Sequence, residues 1–472
     1  MNGLPAFGGI HIMTTDSKTT ISRRTLIRRA AGGSLLGSAF AFSEAGRAQA
    51  AAQGVNKNSA PSDLKITDVR GCTIKGAETF IYPTIRIDTN QGVSGLGEVF
   101  VLGNAEQALV FKPMLVGKNP LLLEPILQSL RRFTNQDASG GYSAIDIALH
   151  DIAGKVYGVP VWRLLGSKLR DRARLYCDTL GSTDPKVYGA HMLERKNAGY
   201  TFFKMDLYTS LVAEKPGAVH TDGAATEKGL GYLGDLIGGV RDAIGWDQPL
   251  AADHFGNISV HNAIRYARAF ERYQLAWAED MVPYTDWQGL KAIREATTTP
   301  QCTGEYGFGL KEAFRPLLDN HAVDLIHVDV TTCGGLLELH RIADYADMCG
   351  IPIVLHACNG PVAQAAAIHA AATMTNFVAL EFHAVECDYW SDLAKGPMRP
   401  VAERGHMRVS DAPGLGIEMN EEVARGHLTV PARDMAGQVT LGGYFEPTPR
   451  FDEPILGGQP GNPSPNSWRQ IL

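Results

Sequence analysis

The chain has 472 residues, of which 44% are hydrophobic and 20% are charged, and its formal net charge at pH 7 is −6. This composition is ordinary for a soluble globular protein with a large core, and the length predicts two or three domains or one large barrel with an addition. The mild negative charge gives no reason to expect a nucleic acid or an anionic membrane surface as partner.

The first 50 residues contain the three parts of an export signal in order. Arg23 and Arg24 lie in a basic region, a Gly- and Ala-rich apolar stretch follows, and residues 48–50 (Ala-Gln-Ala) have the small-x-small pattern of a cleavage site. We therefore predict a twin-arginine signal peptide over residues 1–50 and a mature protein exported to the periplasm. The alternative is a disordered basic tail. The apolar stretch is too short to span a membrane, and no other segment reaches transmembrane length.

Seven cysteines are present, which is an odd number, and no two of them form a CxxC pair. Export would permit a disulfide, but a chain of this length does not need one. We expect buried free thiols.

Residues 62–170 have the pattern of an α+β domain. Alternating and β-branched runs, broken by Gly and by an Asn-Gln-Gly turn, predict a small antiparallel sheet before residue 101. Helical periodicity follows at residues 105–132 and 143–157, and Gly158-Val159-Pro160 ends the second helical stretch.

Residues 172–382 alternate short apolar runs with helical segments. The eight candidate strands are ARLYCDTL, TFFKMDLY, PLAADHF, LAWAED, QCTGE, AVDLIHVDV, IPIVLHAC and FVALEF. This rhythm predicts a (β/α)7-8 TIM-type barrel; an open doubly wound sheet is less favoured because no Gly-rich phosphate turn follows the first strand. The polar, Gly-rich stretch 208–232 is either a lid or substrate loop or an inert insertion. Residues 383–472 lose the rhythm, and we expect them to pack on the first domain and on a surface or subunit contact.

Three acidic residues occur at equal intervals, each near the end of a candidate strand. Asp253, Glu279 and Glu305 are separated by 279 − 253 = 26 and 305 − 279 = 26 positions. The carboxyl ends of barrel strands converge on one face, where three carboxylates would repel one another without a cation between them. Oxygen ligands suit a hard ion such as Mg²⁺, so we predict one Mg²⁺ per subunit; the alternative is three unrelated surface acids.

Further polar residues end the other strands. Lys204 and Asp206 are two positions apart on the second strand, so both are predicted to face the barrel mouth. Lys204 could be a second base, could bind a substrate carboxylate, or could form a salt bridge with Asp206. Asp329 ends the sixth strand and His356 the seventh, so the two are neighbours in a barrel, and the carboxylate would hold the imidazole as a general base. Glu381, on the eighth strand, is predicted to bind a hydroxyl or, if protonated, a developing enediolate.

This set resembles the enolase superfamily, and in particular its mandelate racemase-like group, over about residues 62–440. The resemblance is carried by Asp253, Glu279 and Glu305, by the Asp329/His356 pair, and by AIDIALHDIAGK and PVWRLLG at the junction of the two domains. It implies a capping domain completed by the C-terminal segment, Mg²⁺ at the three acids, a His or Lys base, a carboxylate substrate and a homo-oligomer.

One departure from the family pattern bears on the reaction. The second strand of the family usually reads Lys-x-Lys, whereas Asp206 takes the second position here. A single His356 base favours dehydration of an acid sugar by syn elimination of the 3-hydroxyl. The alternatives are a racemase, epimerase or cycloisomerase on a related carboxylate and, as a non-enzymatic reading, an exported sugar-acid binding protein. His254 is predicted to point away from Asp253 and to be structural.

Overall fold

The computed structural model describes residues 63–452 except 78, 134–140, 256–257, 308, 397–398, 430–431, 434–438 and 442. The predicted export signal over residues 1–50 lies outside the described residues. None of the described helices is long and apolar enough to cross a membrane. The cysteines are free thiols, and all but the half-buried Cys349 are buried.

An antiparallel sheet and five helices form the first domain. The elements are β1 (Ile66–Lys75), β2 (Ile81–Thr89), β3 (Ser94–Glu98), α1 (Glu106–Leu109), α2 (Lys112–Leu115), α3 (Leu123–Phe133), α4 (Gly141–Tyr157) and α5 (Val161–Leu165). The sheet has the order β1-β2-β3, and β1 pairs with nearly the whole length of β2. The predicted α+β capping domain is therefore present, although the first helical stretch is divided into three separate helices.

Eight parallel strands of the described chain close into a barrel, because β11 pairs with β4 as well as with β10. The strands are β4 (Arg172–Cys177), β5 (Phe203–Asp206), β6 (Leu250–Asp253), β7 (Ala278–Glu279), β8 (Gln301–Thr303), β9 (Leu325–Asp329), β10 (Ile353–His356) and β11 (Phe377–Phe382). The helices around them are α6 (Pro185–Asn197), α7 (Glu227–Ile244), α8 (Val260–Phe270), α9 (Trp287–Ala296), α10 (Lys311–Asp319), α11 (Gly335–Met348) and α12 (Pro361–Ala371). The TIM-type barrel is confirmed, with all eight predicted strands in place.

Several barrel helices start at an N-cap residue whose side chain accepts a backbone hydrogen bond. Asp184, Thr226, Ser259 and Asp286 each accept a hydrogen bond from a backbone N–H in the first turn of the helix that follows. Each such cap stabilises a helix by roughly 1 kcal/mol. Because α7 begins immediately after Thr226, the loop after β5 is shorter than the predicted stretch 208–232.

Helix α4 joins the two domains, and for this reason it is buried on almost every side. Asp151 accepts hydrogen bonds from the backbone N–H of Leu96 in the cap and of Leu415 in the C-terminal segment. Asp146 accepts one from the N–H of Leu336 at the start of α11. These buried carboxylates satisfy backbone donors that would otherwise be unpaired, so they hold the cap against the barrel.

The C-terminal segment returns to the cap, as predicted. The N–H of Lys75 donates to the carbonyl of His427, and the N–H of Thr429 donates to the carbonyl of Thr73, so this part of the chain extends along β1. Phe451 is buried in the apolar core of the cap. The remaining elements are β12 (Ala394–Lys395), β13 (His406–Arg408), β14 (Glu418–Met419), α13 (Glu421–Gly426), β15 (Ala432–Arg433) and β16 (Val439–Leu441), with short 3₁₀ turns at Thr209–Val212, Glu271–Tyr273, Ala384–Glu386, Trp390–Leu393 and Pro449–Phe451.

Candidate active site

The predicted acids lie at the carboxyl-terminal end of the barrel. Asp253 and Glu279 are the last residues of β6 and β7, and Glu305 lies two residues beyond the end of β8. All three are at most 5% exposed. Their positions follow from the repeated strand-loop-helix unit, because each turn after a strand begins at the same level of the barrel.

The ligand atoms of these acids are arranged in two groups rather than one. The first group consists of Glu279, Glu305 and His327, and one side-chain oxygen or nitrogen from each lies within 4.8 Å of the other two. The second group, with the same spacing, consists of Asp206, Asp253 and His254. A buried ammonium connects the two groups, because Lys204 Nζ lies 3.0 Å from Asp253 Oδ2 and 3.4 Å from Glu279 Oε1.

Lys204 also forms a third ion pair, with Glu381, whose Oε1 lies 2.6 Å from the ammonium nitrogen. Burial alone would lower the pKa of Lys204, but Asp253, Glu279 and Glu381 raise it well above its ordinary value. The side chain is therefore a cation at neutral pH. Among the described residues its ion pairs are with these three carboxylates, so the alternative of a salt bridge to Asp206 is not observed.

His327 was not singled out by the sequence analysis, although it lies at the centre of the site. It is fully buried on β9, its Nδ1 lies 2.8 Å from Glu279 Oε1, and its Nε2 lies 2.5 Å from the Tyr176 hydroxyl. The other oxygen of Glu279 accepts a 2.6 Å hydrogen bond from the Trp277 indole. His327 precedes Asp329 by two residues, so strand alternation places both on the inner face and would have identified it.

The predicted Asp329/His356 pair is formed as expected. His356 Nδ1 lies 2.6 Å from Asp329 Oδ2, and β9 and β10 pair in register at these two residues. The other oxygen of Asp329 accepts hydrogen bonds of 2.6 Å from the N–H and the hydroxyl of Thr331. Because the carboxylate accepts a hydrogen bond from Nδ1–H, it orients the ring with Nε2 toward the site and, in the neutral imidazole, leaves Nε2 unprotonated.

His356 Nε2 lies close to the acidic cluster, which consists of Asp253, Glu279, Glu305 and Glu381. This atom lies 3.4 Å from Glu305 Oε2, 3.7 Å from Glu381 Oε2 and 3.6 Å from Cys358 Sγ. Burial would lower the pKa of His356, but the neighbouring Cys358, Glu305 and Glu381 raise it well above its ordinary value. Any cation that neutralises those carboxylates would bring this pKa back toward the range useful for a base.

Glu381 is ionised in this arrangement. Burial would raise its pKa, but Lys204, His356 and His327 hold it well below its ordinary value. A carboxylate in this state only accepts hydrogen bonds, so the prediction that Glu381 donates to an enediolate from its protonated form is not supported. Binding of a substrate hydroxyl remains compatible with the geometry.

The prediction that His254 points away from Asp253 is wrong. Its Nε2 lies 3.7 Å from Asp253 Oδ2 and 3.7 Å from Asp206 Oδ1, and its ring stacks on Tyr208 with the centroids 4.8 Å apart. Its φ is 60°, in the left-handed region, which breaks the alternation of the strand and turns the side chain toward the acids.

The loop after β5 lies on the active-site face. With the loop after β6 it lines a cavity of about 430 Å³. Residues from the first loop include Tyr208, Ser210 and Asp222, and residues from the second include His254 and Ser259. The sequence alternative of a substrate loop is therefore favoured over an inert insertion, because this cavity reaches His254, which lies beside Asp206 and Asp253.

The acid cluster fits a divalent cation. Burial raises the pKa of Asp280 well above its ordinary value, and the charges of Glu305, Glu279 and Asp253 raise it further. Burial, together with the charge of Glu279, likewise raises the pKa of Asp253 to about 6, although Lys204 opposes this. These carboxylates therefore repel one another, whereas burial would raise the pKa of Glu279 but His327 and Lys204 hold it well below its ordinary value. Carboxylate oxygens are the ligands that Mg²⁺ prefers, so Asp253, Glu279 and Glu305 have the chemistry of a magnesium site.

Comparisons with known proteins agree with this arrangement. Residues 188–423 match the family described as "Enolase C-terminal domain-like", and residues 68–166 match "Mandelate racemase / muconate lactonizing enzyme, N-terminal domain". A D-xylonate dehydratase of Haloferax volcanii is 32% identical over 379 residues, which cover 78% of this chain and 89% of the relative.

Two solved structures show the same fold. A mandelate racemase/muconate lactonizing enzyme-like protein from Rubrobacter xylanophilus has a TM-score of 0.70 and 31% identity, covering 78% of this chain and 98% of its own. An enolase from Pantoea ananatis with bound D-gluconate and magnesium has a TM-score of 0.67 and 27% identity, covering 77% of this chain and 95% of its own.

Proposed function

Since the chain belongs to the mandelate racemase/muconate lactonizing enzyme group of the enolase superfamily, we propose that it is a Mg²⁺-dependent hydro-lyase that dehydrates an acid sugar. The observation that carries the proposal is the position of His356, which is hydrogen-bonded to Asp329 at 2.6 Å and faces Glu305 at 3.4 Å. A general base is thereby held beside the acids that would bind the metal. The similarity to a xylonate dehydratase, and to a structure with bound gluconate and magnesium, supports an aldonate as substrate.

Asp253, Glu279 and Glu305 would hold the metal, which supplies neutralisation of the charge that forms on the substrate carboxylate when its α-proton leaves. His356 Nε2 would accept that proton while Asp329 stabilises the resulting imidazolium. The same imidazolium would then protonate the departing 3-hydroxyl, so that the C–H and C–O bonds break, one water leaves, and the enol becomes a 2-keto-3-deoxy acid.

The state of Lys204 favours dehydration over racemisation. A two-base racemase needs a second base on the face opposite His356. Lys204, which was a candidate for that role, is paired with three carboxylates, and its pKa is raised well above its ordinary value. We therefore propose that Lys204 neutralises these acids in the metal-free protein and binds an anionic substrate. Asp206 and Glu381 are proposed to bind substrate hydroxyls.

The decisive experiment is a screen of purified protein, with and without Mg²⁺, against a panel of aldonates that includes D-xylonate and D-gluconate. The expected result is Mg²⁺-dependent formation of a 2-keto-3-deoxy acid, detected as its semicarbazone. His356→Asn keeps an amide in place of Nδ1 but lacks Nε2, and turnover should fall by about 10²–10⁴-fold, the usual contribution of a general base.

The other hypotheses predict different outcomes of the same screen. Exchange of the α-proton in D₂O without a keto acid would indicate a racemase or epimerase. Binding of an acid sugar without exchange would indicate a binding protein, and a panel that yields no keto acid counts against the dehydratase. The family membership also favours a homo-oligomer, which sedimentation of the purified protein would test.

A further inference from the structure

A carboxylate of the cap contacts the barrel outside the acidic cluster. Glu98 is the last residue of β3 and is fully buried. Its Oε1 accepts a hydrogen bond from the backbone N–H of Gly360, and its Oε2 accepts one of 3.0 Å from the N–H of Ala363. Gly360 is the N-cap residue of the eleven-residue helix α12, whose own residues supply no side-chain cap. Glu98 therefore satisfies two free N–H groups of a barrel helix from the other domain.

The start of α12, which Glu98 contacts, follows the proposed base His356 closely in sequence. Only residues 357–359 separate His356 from Gly360. Within that segment the Asn359 side chain donates a 3.0 Å hydrogen bond to Asp329 Oδ2, the same oxygen that His356 Nδ1 contacts. The Trp390 indole donates to the Asn359 carbonyl at 3.1 Å. The orientation of His356 and the position of the first turn of α12 are thus determined together.

The fit around Glu98 leaves little freedom. A Cβ atom added at Gly360 would lie 2.9 Å from both carboxylate oxygens of Glu98 and 2.9 Å from Tyr82 Cγ, so the backbone approaches the carboxylate as closely as a glycine allows. Two residues beyond Glu98, the Phe100 ring packs at 6.1 Å from the His356 ring. The same stretch of the cap therefore holds the helix that follows the base and covers the base itself.

We infer that Glu98 is a positioning residue that couples the seating of the cap to the alignment of His356. The cap then does more than cover the substrate, because its docking places the N-terminus of α12, the Asn359 amide and the imidazole in one arrangement. The effect on turnover rests on the proposed function, whereas the effect on the backbone of residues 357–363 does not.

The test uses Glu98→Gln, which keeps the shape but turns an NH₂ group toward the two N–H donors, and Glu98→Asp, which keeps the carboxyl group but shortens the reach. Asp63→Asn, an exposed cap residue, is the matched control. We expect hydrogen exchange of the backbone amides of Gly360, Val362 and Ala363 to rise at least about tenfold. We expect kcat to fall about 10–100-fold, the usual effect of losing a supporting contact to a functional group. KM and the Mg²⁺ affinity measured by calorimetry should change less than about threefold, since the contacts of the acid cluster are untouched.

Two results would overturn the inference. In one, Glu98→Gln keeps wild-type exchange and wild-type kcat. In the other, both variants lose Mg²⁺ affinity and thermal stability together, which would make Glu98 a folding residue only. If Glu98→Gln does not fold, Glu98→Asp is judged by the same criteria. If the wild type turns over no acid sugar while exchange at residues 360–363 still rises, the proposed function fails and the backbone coupling stands.

Discussion

Replacing Lys204 with Met should change stability and metal affinity in opposite directions. The side chain is 2% exposed and its ammonium lies within 3.4 Å of oxygens from three carboxylates. Met preserves the length of the aliphatic stem but removes the charge. Removal of one partner from a buried ion pair costs about 3–5 kcal/mol, because the other charges stay buried without compensation. The metal-free variant should therefore be less stable by about that amount.

The affinity for Mg²⁺ should increase in the same variant. A unit charge about 4 Å from a divalent ion would oppose its binding by about 8 kcal/mol at an effective dielectric constant of 20. Lys204 can retreat toward Glu381 when a cation binds, so we expect a fraction of this, about tenfold tighter binding or about 1.4 kcal/mol. Saturating Mg²⁺ should then stabilise Lys204→Met by about 1.4 kcal/mol more than it stabilises the wild type.

Denaturant unfolding in EDTA and in MgCl₂ measures both effects. Lys186→Met, an exposed position on α6, is the matched control and should leave both quantities unchanged. Two results would contradict these expectations: metal-free Lys204→Met that is as stable as the wild type, or Lys204→Met that binds Mg²⁺ more weakly. The second result would mean that Lys204 organises the acids for the metal rather than competing with it.

Three further predictions concern Asp329, His369 and the N-terminal arginines. Asp329→Asn would stabilise the wrong tautomer of His356, and kcat should fall about 10²–10⁴-fold with little change in the calorimetric Mg²⁺ affinity; a wild-type pH–rate profile would contradict the pairing. Burial lowers the pKa of His369 to about 4, and its Nδ1 accepts a hydrogen bond from the backbone N–H of Trp162, so the folded state resists protonation of this ring. The contribution of neutral His369 to the free energy of unfolding is complete above pH 6.5 and is lost as the pH falls toward 4. Relative to His369→Gln, which does not titrate, the wild type should lose about 3 kcal/mol of unfolding free energy between pH 7 and 4, measured by urea titrations. Equal pH dependence of the two proteins would contradict this. Residues 1–50 fused to a reporter should direct twin-arginine export, which Arg23→Lys with Arg24→Lys should abolish; unchanged export of that double variant would contradict the predicted signal.

Residue type and spacing were sufficient for the architecture. The alternation of apolar runs with helical segments predicted the eight barrel strands, because only buried parallel strands and amphipathic helices produce that pattern. Asp329 and His356 were predicted as neighbours because consecutive strands of a parallel barrel are adjacent, and the structure places their side chains 2.6 Å apart.

Contacts between distant strands could not be read from the sequence. His327 lies near Glu279 and Tyr176 across the barrel interior, and which inward side chains meet there depends on the tilt and register of the strands. The direction of His254 depended on a single backbone angle of the left-handed region that no residue type near it required. Lys204 had three candidate roles in the sequence, and only the packed interior showed that it pairs with Asp253, Glu279 and Glu381.

The sequence by itself therefore determined which residues stand at the carboxyl ends of the strands, since that depends on local periodicity alone. The tertiary structure decided how those residues pair and that Glu98 reaches α12, 262 residues away in sequence. Pairing of buried charges depends on desolvation and on distances of a few ångströms, which arise only when the whole barrel and its cap are packed together.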